Sequence, residues 1–177
     1  MGDKKKISPR NVPERDSKYM ALAWIVAGFS KDPNTQCGAI IIDSKNNPLG
    51  WGYNGPPRLI DDNSFSWGRP EKYDKIIHAE INALRHAVGD VSGTTLYVTG
   101  MPCKRCMLHI IESEIERVVY TNFESDHDSL LHNQEEKEAT LDLVRLSGIG
   151  LDKFNGNIYW LLDWIDKLKE VGVFELQ

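Results

Sequence analysis

His78-Ala79-Glu80 and Pro102-Cys103-Lys104-Arg105-Cys106 are the stretches of this chain whose residue types and spacing are best suited to chemistry. Two thiols three positions apart at a helix start point the same way and can chelate one ion. The positive end of the helix favours their thiolate forms. A histidine on the first turn of the neighbouring helix would complete three protein ligands to zinc. Three ligands leave the fourth tetrahedral position for water, the arrangement of a catalytic rather than a closed structural site. Glu80 lies two residues beyond the histidine, near the metal without being needed as a ligand. A carboxylate there can take a proton from water acidified by the metal and deliver it elsewhere. The pattern points to metal-assisted hydrolysis.

Other readings of the same residues exist. A Cys-x-x-Cys pair alone could be a redox centre, but that chemistry needs no partnered His-x-Glu. A closed zinc site would need a fourth Cys or His, and the remaining cysteine, Cys37, opens the apolar run Gly38-Ala39-Ile40. It reads as a small buried hydrophobe. Glu80 could orient a ligand instead of moving protons, although its place beside an open metal position favours the acid/base role.

The elements that must position these groups follow from the apolar periodicity. Met20, Trp24, Val26 and Ala27 recur at helical spacing within residues 15–30, and Asp32-Pro33-Asn34 breaks the chain after them. Residues 38–42 and 49–53, joined by a turn at 45–48, read as a β-hairpin. Residues 54–74 carry Pro56, Pro57, Gly68 and Pro70, and an irregular insert of that length usually has a function. A helix (75–88), a strand (93–99), a helix (102–113) and a strand (116–120) follow. The chain continues with a helix over 135–146 ending at Gly148, a weak strand over 149–154 and an amphipathic helix over 158–170 bearing Trp160, Leu161, Trp164 and Leu168. This order predicts an α/β fold of three α-β-α layers around a mixed five-stranded sheet, with the fourth and fifth strands parallel. Residues 1–14, with Lys4-Lys5-Lys6, Pro9 and Pro13, read as a flexible arm, and residues 15–177 as one domain.

Composition bounds the function. The 177 residues are 41% hydrophobic and 27% charged, ordinary globular values. The net charge of −5 argues against a nucleic acid polymer as partner. No apolar run could cross a bilayer and no export leader opens the chain, so no membrane partner and a cytoplasmic location are expected. Three cysteines, two of them in the tight pair, suit a reducing compartment and a metal site.

Beyond the zinc motif, the chain carries Ser30-Lys31-Asp32-Pro33-Asn34-Thr35-Gln36-Cys37-Gly38-Ala39, Gly52-Tyr53-Asn54-Gly55, Ile77 through Ala83, and Leu96-Tyr97-Val98-Thr99. With these segments, which span residues 19–121, it resembles the zinc-dependent cytidine deaminase superfamily and, within it, the deoxycytidylate deaminases. The zinc motif is widespread among deaminases; the Ser-Lys-Asp-Pro-Asn and Gly-Tyr-Asn-Gly segments single out the nucleotide enzymes. The resemblance implies hydrolysis of dCMP to dUMP and ammonia, supplying dUMP for dTMP synthesis. In that reaction Glu80 would protonate ring N3 and later the departing amine. It also implies one Zn2+ per subunit on His78, Cys103 and Cys106.

The resemblance assigns further residues. Asn54 would hydrogen-bond the sugar 3′-hydroxyl, although Asn-Gly is also a strong turn pair. The Ala79 amide would read the base O2, and the Met101–Pro102 backbone would accept from the exocyclic amine. Ser30, Lys31, Asn34 and the loop around Asp126-His127 would meet the 5′-phosphate, and Phe123 would stack on the pyrimidine. His86 and His109 read as packed or surface residues. Regulation by dCTP (activating) and dTTP (inhibiting) in a homohexamer is implied as well. Tyr53, Gly55, Arg58, Asn63, Arg69 and Lys75 would form the allosteric nucleotide site, with Mg2+ accompanying the triphosphate. A lid or a subunit contact is the competing use of that insert. Cys37 stands where the family more usually has valine. The extra cysteines that hold a second zinc in some viral members are absent.

Overall fold

The computed structural model describes residues 14–61, 64–68, 70–121 and 134–171. Residues 1–13 of the expected arm, Asn63, Arg69, Phe123 and His127 lie outside the described residues.

Helix α1 (Arg15–Ala27) leads into the hairpin β1 (Gly38–Ile42) and β2 (Pro48–Tyr53). Helix α2 (Ala79–Arg85), strand β3 (Thr95–Val98), helix α3 (Lys104–Glu112) and strand β4 (Arg117–Tyr120) follow. Helix α4 (Gln134–Ser147), strand β5 (Gly150–Lys153) and helix α5 (Trp160–Glu170) close the series. The five strands form one sheet in the order β2-β1-β3-β4-β5. β1 runs antiparallel to β2 and β3, whereas β3, β4 and β5 are mutually parallel in sequence. The expected mixed sheet with parallel fourth and fifth strands is therefore present, and its parallel half also takes in β3.

Side-chain alternation along the strands divides the core into two layers. Ala39, Ile41, Leu96, Val98 and Val118 face Ala79 and Ala83 of α2 and Cys106, Met107 and Ile110 of α3. Ile40, Ile42, Tyr97 and Val119 face Met20 and Ala23 of α1, with Phe154 and Ile158 packed beside them. β1 and β3 are buried along their whole length, which is why their sequences are unbroken apolar or β-branched runs. α5 is helical as its periodicity predicts, but it buries no residue and leaves Leu162 and Trp164 exposed. Among the described residues no helix is long and apolar enough to cross a membrane.

Several element boundaries differ from the periodicity reading. The first helix ends at Ala27, not residue 30, and the backbone then turns through Ser30 into the Asp32 loop. The second helix begins at Ala79, not residue 75, because Ile77 instead forms a two-way backbone bridge with Gly55 (3.1 and 2.9 Å). The third begins at Lys104, with Cys103 as its extended N-cap. The two metal-motif residues His78 and Cys103 therefore precede their helices, where the backbone is still extended. Gly148 ends α4 with φ +74°, a conformation that favours glycine.

β2 presents glycine to α2. A Cβ on Gly52 would lie 2.3 Å from the Ala83 nitrogen and 2.6 Å from the Ala79 oxygen. The helix therefore rests on strand backbone, and Asn82 Nδ2 donates to the Tyr53 carbonyl (2.8 Å) to fix its register. On the opposite face, Arg117 forms a two-pronged ion pair with Asp16 (3.0 and 2.9 Å), and the Tyr97 hydroxyl donates to the same carboxylate (2.7 Å). These contacts, the Arg117 hydrogen bond foremost, hold the Asp16 carboxyl below its ordinary range.

Two predictions follow from this packing. Gly52→Ala should cost roughly 3 kcal/mol or more, because the clash is with main-chain atoms that cannot rotate away; denaturant unfolding of wild type and variant measures it. Asp16→Asn should cost roughly 1 kcal/mol at neutral pH, the scale of a part-exposed ion pair. A depressed carboxyl pKa stabilises the fold above the unfolded value of about 3.9, and that contribution disappears as pH falls through the folded value. The stability gap between wild type and Asp16→Asn should accordingly close between about pH 5 and pH 2, as read from thermal midpoints.

Candidate metal and catalytic site

The N-terminal ends of α2 and α3 meet on one side of the sheet. There His78, Cys103 and Cys106 place one ligand atom each within 4.8 Å of one another, the one such group of His, Cys, Asp or Glu side chains among the described residues. His78 Nδ1 lies 3.6 Å from Cys103 Sγ and 3.3 Å from Cys106 Sγ. Bonds of about 2.3 Å to sulfur and about 2.0 Å to nitrogen at tetrahedral angles would set such separations at about 3.6 Å. The donor set therefore fits zinc in size and in chemical type, through Nδ1 of the histidine.

Its electrostatics point the same way. The hydrogen bond with Cys106 brings the Cys103 thiol down to about 4 against the opposing effect of burial, with help from His78. That same bond, together with burial, pushes the Cys106 thiol up. Burial acts to lower the His78 imidazole, but the hydrogen bond to Cys103 and the charge of Glu80 hold it above its ordinary value. Metal ligation requires both sulfurs as thiolates, and a divalent cation bound between them favours that ionisation.

Glu80, on the first turn of α2, is 6% exposed. Burial pushes its carboxyl above the ordinary carboxylate range, against the pull of the His78 charge. A buried carboxyl beside the metal donors is placed to exchange a proton with water and substrate. Ala79, just before it, is fully buried, and its N–H is one of the helix-opening amides with no carbonyl to pair within the helix.

A second cluster adjoins the first. Asn54 is buried immediately after β2. Its Oδ1 accepts from the Cys37 N–H (2.8 Å), and its Nδ2 donates to the Thr35 carbonyl (2.9 Å) and to Asp32 Oδ2 (3.4 Å). Ser30 Oγ donates to the Asn54 carbonyl (2.8 Å). Cys37 joins the clusters: its amide holds Asn54, while burial and then the charge of Glu80 push its thiol up to about 12. It is therefore an unreactive neighbour of the site as well as part of the core boundary.

The remaining sequence-derived residues are more dispersed. Lys31 and Asn34 are exposed, and Asn34 Nδ2 donates to the Trp67 carbonyl (3.4 Å). Pro102 is buried beside the cysteines. Tyr53 is exposed and packs against Phe29 and Trp51. Gly55 is taken up by its bridge to Ile77. Arg58 contacts the ring of His86 (2.7 Å), and Lys75 is exposed on the insert.

Sequence reasoning missed three contributors. Lys72 is buried in a short 3-10 helix (Glu71–Asp74) with Nζ 2.8 and 2.7 Å from the two oxygens of Asp32. Asp32, although part of the quoted motif, had no role assigned. Thr140 of α4, fully buried, donates to the Pro102 carbonyl (3.4 Å) and so pins the cysteine loop. Each partnership joins distant positions, so no local spacing could signal it.

Comparison with known proteins matches residues 13–122 to the family model described as the cytidine and deoxycytidylate deaminase zinc-binding region. Human deoxycytidylate deaminase is 37% identical over 143 residues, covering 77% of each chain. A probable deoxycytidylate deaminase of Drosophila melanogaster is 41% identical over 117 residues, covering 59% of this chain and 58% of its own. Among solved structures, the dCMP deaminase of cyanophage S-TIM5 in complex with dCMP and dUMP superimposes with a TM-score of 0.61 at 22% identity, over 82% of this chain and 100% of the phage chain. The likeness in structure supports the fold.

Metal removal tests the donor set. Purified protein should carry about one zinc per chain, and a strong chelator should lower its thermal midpoint by several degrees, reversibly on adding zinc. Cys106→Ala should lose the metal and that chelator-sensitive increment together, as read by metal analysis and calorimetry.

Proposed function

The chain belongs to the cytidine and deoxycytidylate deaminase zinc-binding family, and from that premise we propose that it hydrolyses dCMP to dUMP and ammonia, supplying dUMP for dTMP synthesis. The observation that carries the reading is a buried Glu80 beside a three-donor metal set. Zinc held by His78, Cys103 and Cys106 would supply a nucleophile from water at neutral pH. Glu80 would take a proton from the attacking water and deliver it to N3 as the C4–O bond forms, then take the proton of the new C4 hydroxyl and deliver it to the amine as the C4–N bond breaks and ammonia leaves. The Ala79 amide donates to the base O2, and the backbone at Met101–Pro102 accepts from the exocyclic amine.

The sugar contact falls to Asn54. Both of its amide hydrogens are directed at protein oxygens, so the remaining lone pair of Oδ1 accepts from the 3′-hydroxyl. Ser30, Lys31 and Asn34 bind the 5′-phosphate together with His127, and Phe123 stacks on the base. We further propose activation by dCTP and inhibition by dTTP in a cytoplasmic homohexamer. The exposed Arg58 and Lys75 of the insert support a site for the effector phosphates and their Mg2+, with Tyr53, Gly55, Asn63 and Arg69 beside it.

Ammonia release from dCMP, CMP and deoxycytidine, with and without dCTP or dTTP, tests this reading. dCMP should be preferred over deoxycytidine by about a hundredfold or more in kcat/KM, the worth of a well-held phosphate. Glu80→Ala should keep its zinc and lose about three to four orders of magnitude in kcat. Absence of dCMP turnover by zinc-loaded wild type overturns the proposal, and a near-normal rate in Glu80→Ala overturns the proton shuttle.

A further inference from the structure

The buried Lys72–Asp32 pair has no step in the mechanism above, yet it ends on a residue that mechanism uses. Both partners are almost fully buried, at 2% and 1% exposure. Asp32 Oδ1 accepts from Lys72 Nζ (2.8 Å) and from the amides of Asn34 (2.9 Å) and Thr35 (3.2 Å). Its Oδ2 accepts from Lys72 Nζ (2.7 Å) and from Asn54 Nδ2 (3.4 Å). Asp32 therefore presents only acceptors to Asn54, and its bonds to the Asn34 and Thr35 amides hold the loop whose Thr35 carbonyl and Cys37 amide direct the Asn54 nitrogen and oxygen. A buried carboxylate without a cation would be strongly unfavourable, and Lys72 is the cation in contact with both of its oxygens.

We infer that Lys72 is a positioning residue for sugar recognition: by compensating Asp32 it holds the 32–37 loop, whose Thr35 carbonyl and Cys37 amide, together with Asp32 itself, fix which end of the Asn54 amide is offered to the substrate 3′-hydroxyl. The inference rests on the proposed contact between Asn54 and the sugar. It gives a role to the insert as well, since Lys72 is planted there six residues before His78 and 40 positions from Asp32.

The test removes the charges together. In Lys72→Met/Asp32→Asn no charge is left buried. The new amide must still give its oxygen to the Asn34 and Thr35 amides, and so faces Asn54 with a donor. Donor then meets donor, and the loop that brings the Thr35 carbonyl and the Cys37 amide to Asn54 is pushed out of register. The zinc-loaded double variant should keep kcat within about twofold while KM for dCMP rises about tenfold, the worth of one hydrogen bond. With 2′,3′-dideoxycytidine monophosphate, which lacks the 3′-hydroxyl, variant and wild type should have the same KM. Asp32→Asn alone, which changes no volume, is the companion variant and should show the same split.

Wild-type KM values in both variants overturn the positioning role, as does an equal penalty on both nucleotides. Loss of the fold in both variants also overturns it, leaving a purely structural ion pair. If wild type itself handles dCMP and the dideoxynucleotide alike, the sugar contact of Asn54 fails, and the inference with it. A wild-type preference for dCMP that the folded variants retain defeats the inference alone.

Discussion

The architecture depends on how closely α2 can approach β2. At Gly52 the helix lies against strand backbone with no side chain between them, and Gly50 allows the same approach one turn further along, near Ala83 and Ala87. Helices normally pack on sheets through a layer of side chains. Removing that layer lowers α2 into the sheet and brings its first turn, with Glu80, below the protein surface. The burial that raises the Glu80 carboxyl is thus a consequence of two side chains missing from a neighbouring strand.

Around that helix the protein assembles more acid than base. Two thiols and a carboxyl converge with one imidazole, and their closeness and burial oppose the ionisation of Cys106 and Glu80. A cation held by such a cluster would favour ionisation of its donors, and the enclosing walls would make that cation's field strong. The nearby Asn54 cluster solves a similar problem differently. Its buried carboxylate is balanced by Lys72 of the chain itself, so its geometry is complete without a ligand. One cluster calls for a metal, and the other holds a fixed polar template.

How much of this was legible beforehand depended on distance along the chain. The metal donors and Glu80 could be read because their chemistry is coded by short spacings, and the strands because their apolar runs are compact. The mixed sheet followed from the order of elements. The start of α2 could not be read, because residues 75–78 have ordinary helical character and only the bridge from Gly55 keeps them extended. Lys72 looked like any charge in a polar insert, since its partner stands 40 positions earlier. Asn54 was legible as a site residue, but the internal bonds that orient its amide were not. α5 shows the opposite case: its periodicity forecast the helix, yet nothing in periodicity says whether an apolar stripe will be covered by its own chain.

The Gly55–Ile77 bridge has a bearing on how such a protein can change. It clamps the two ends of the intervening segment together, so the path length between them is decoupled from the position of His78, the next residue. Closing a longer loop across fixed ends costs little, growing only with the logarithm of its length. Residues can thus be added or removed within that excursion without shifting the metal donors, provided the anchor at Lys72 is kept. The fold has in this way a region free to diversify, set beside a reaction centre that is not.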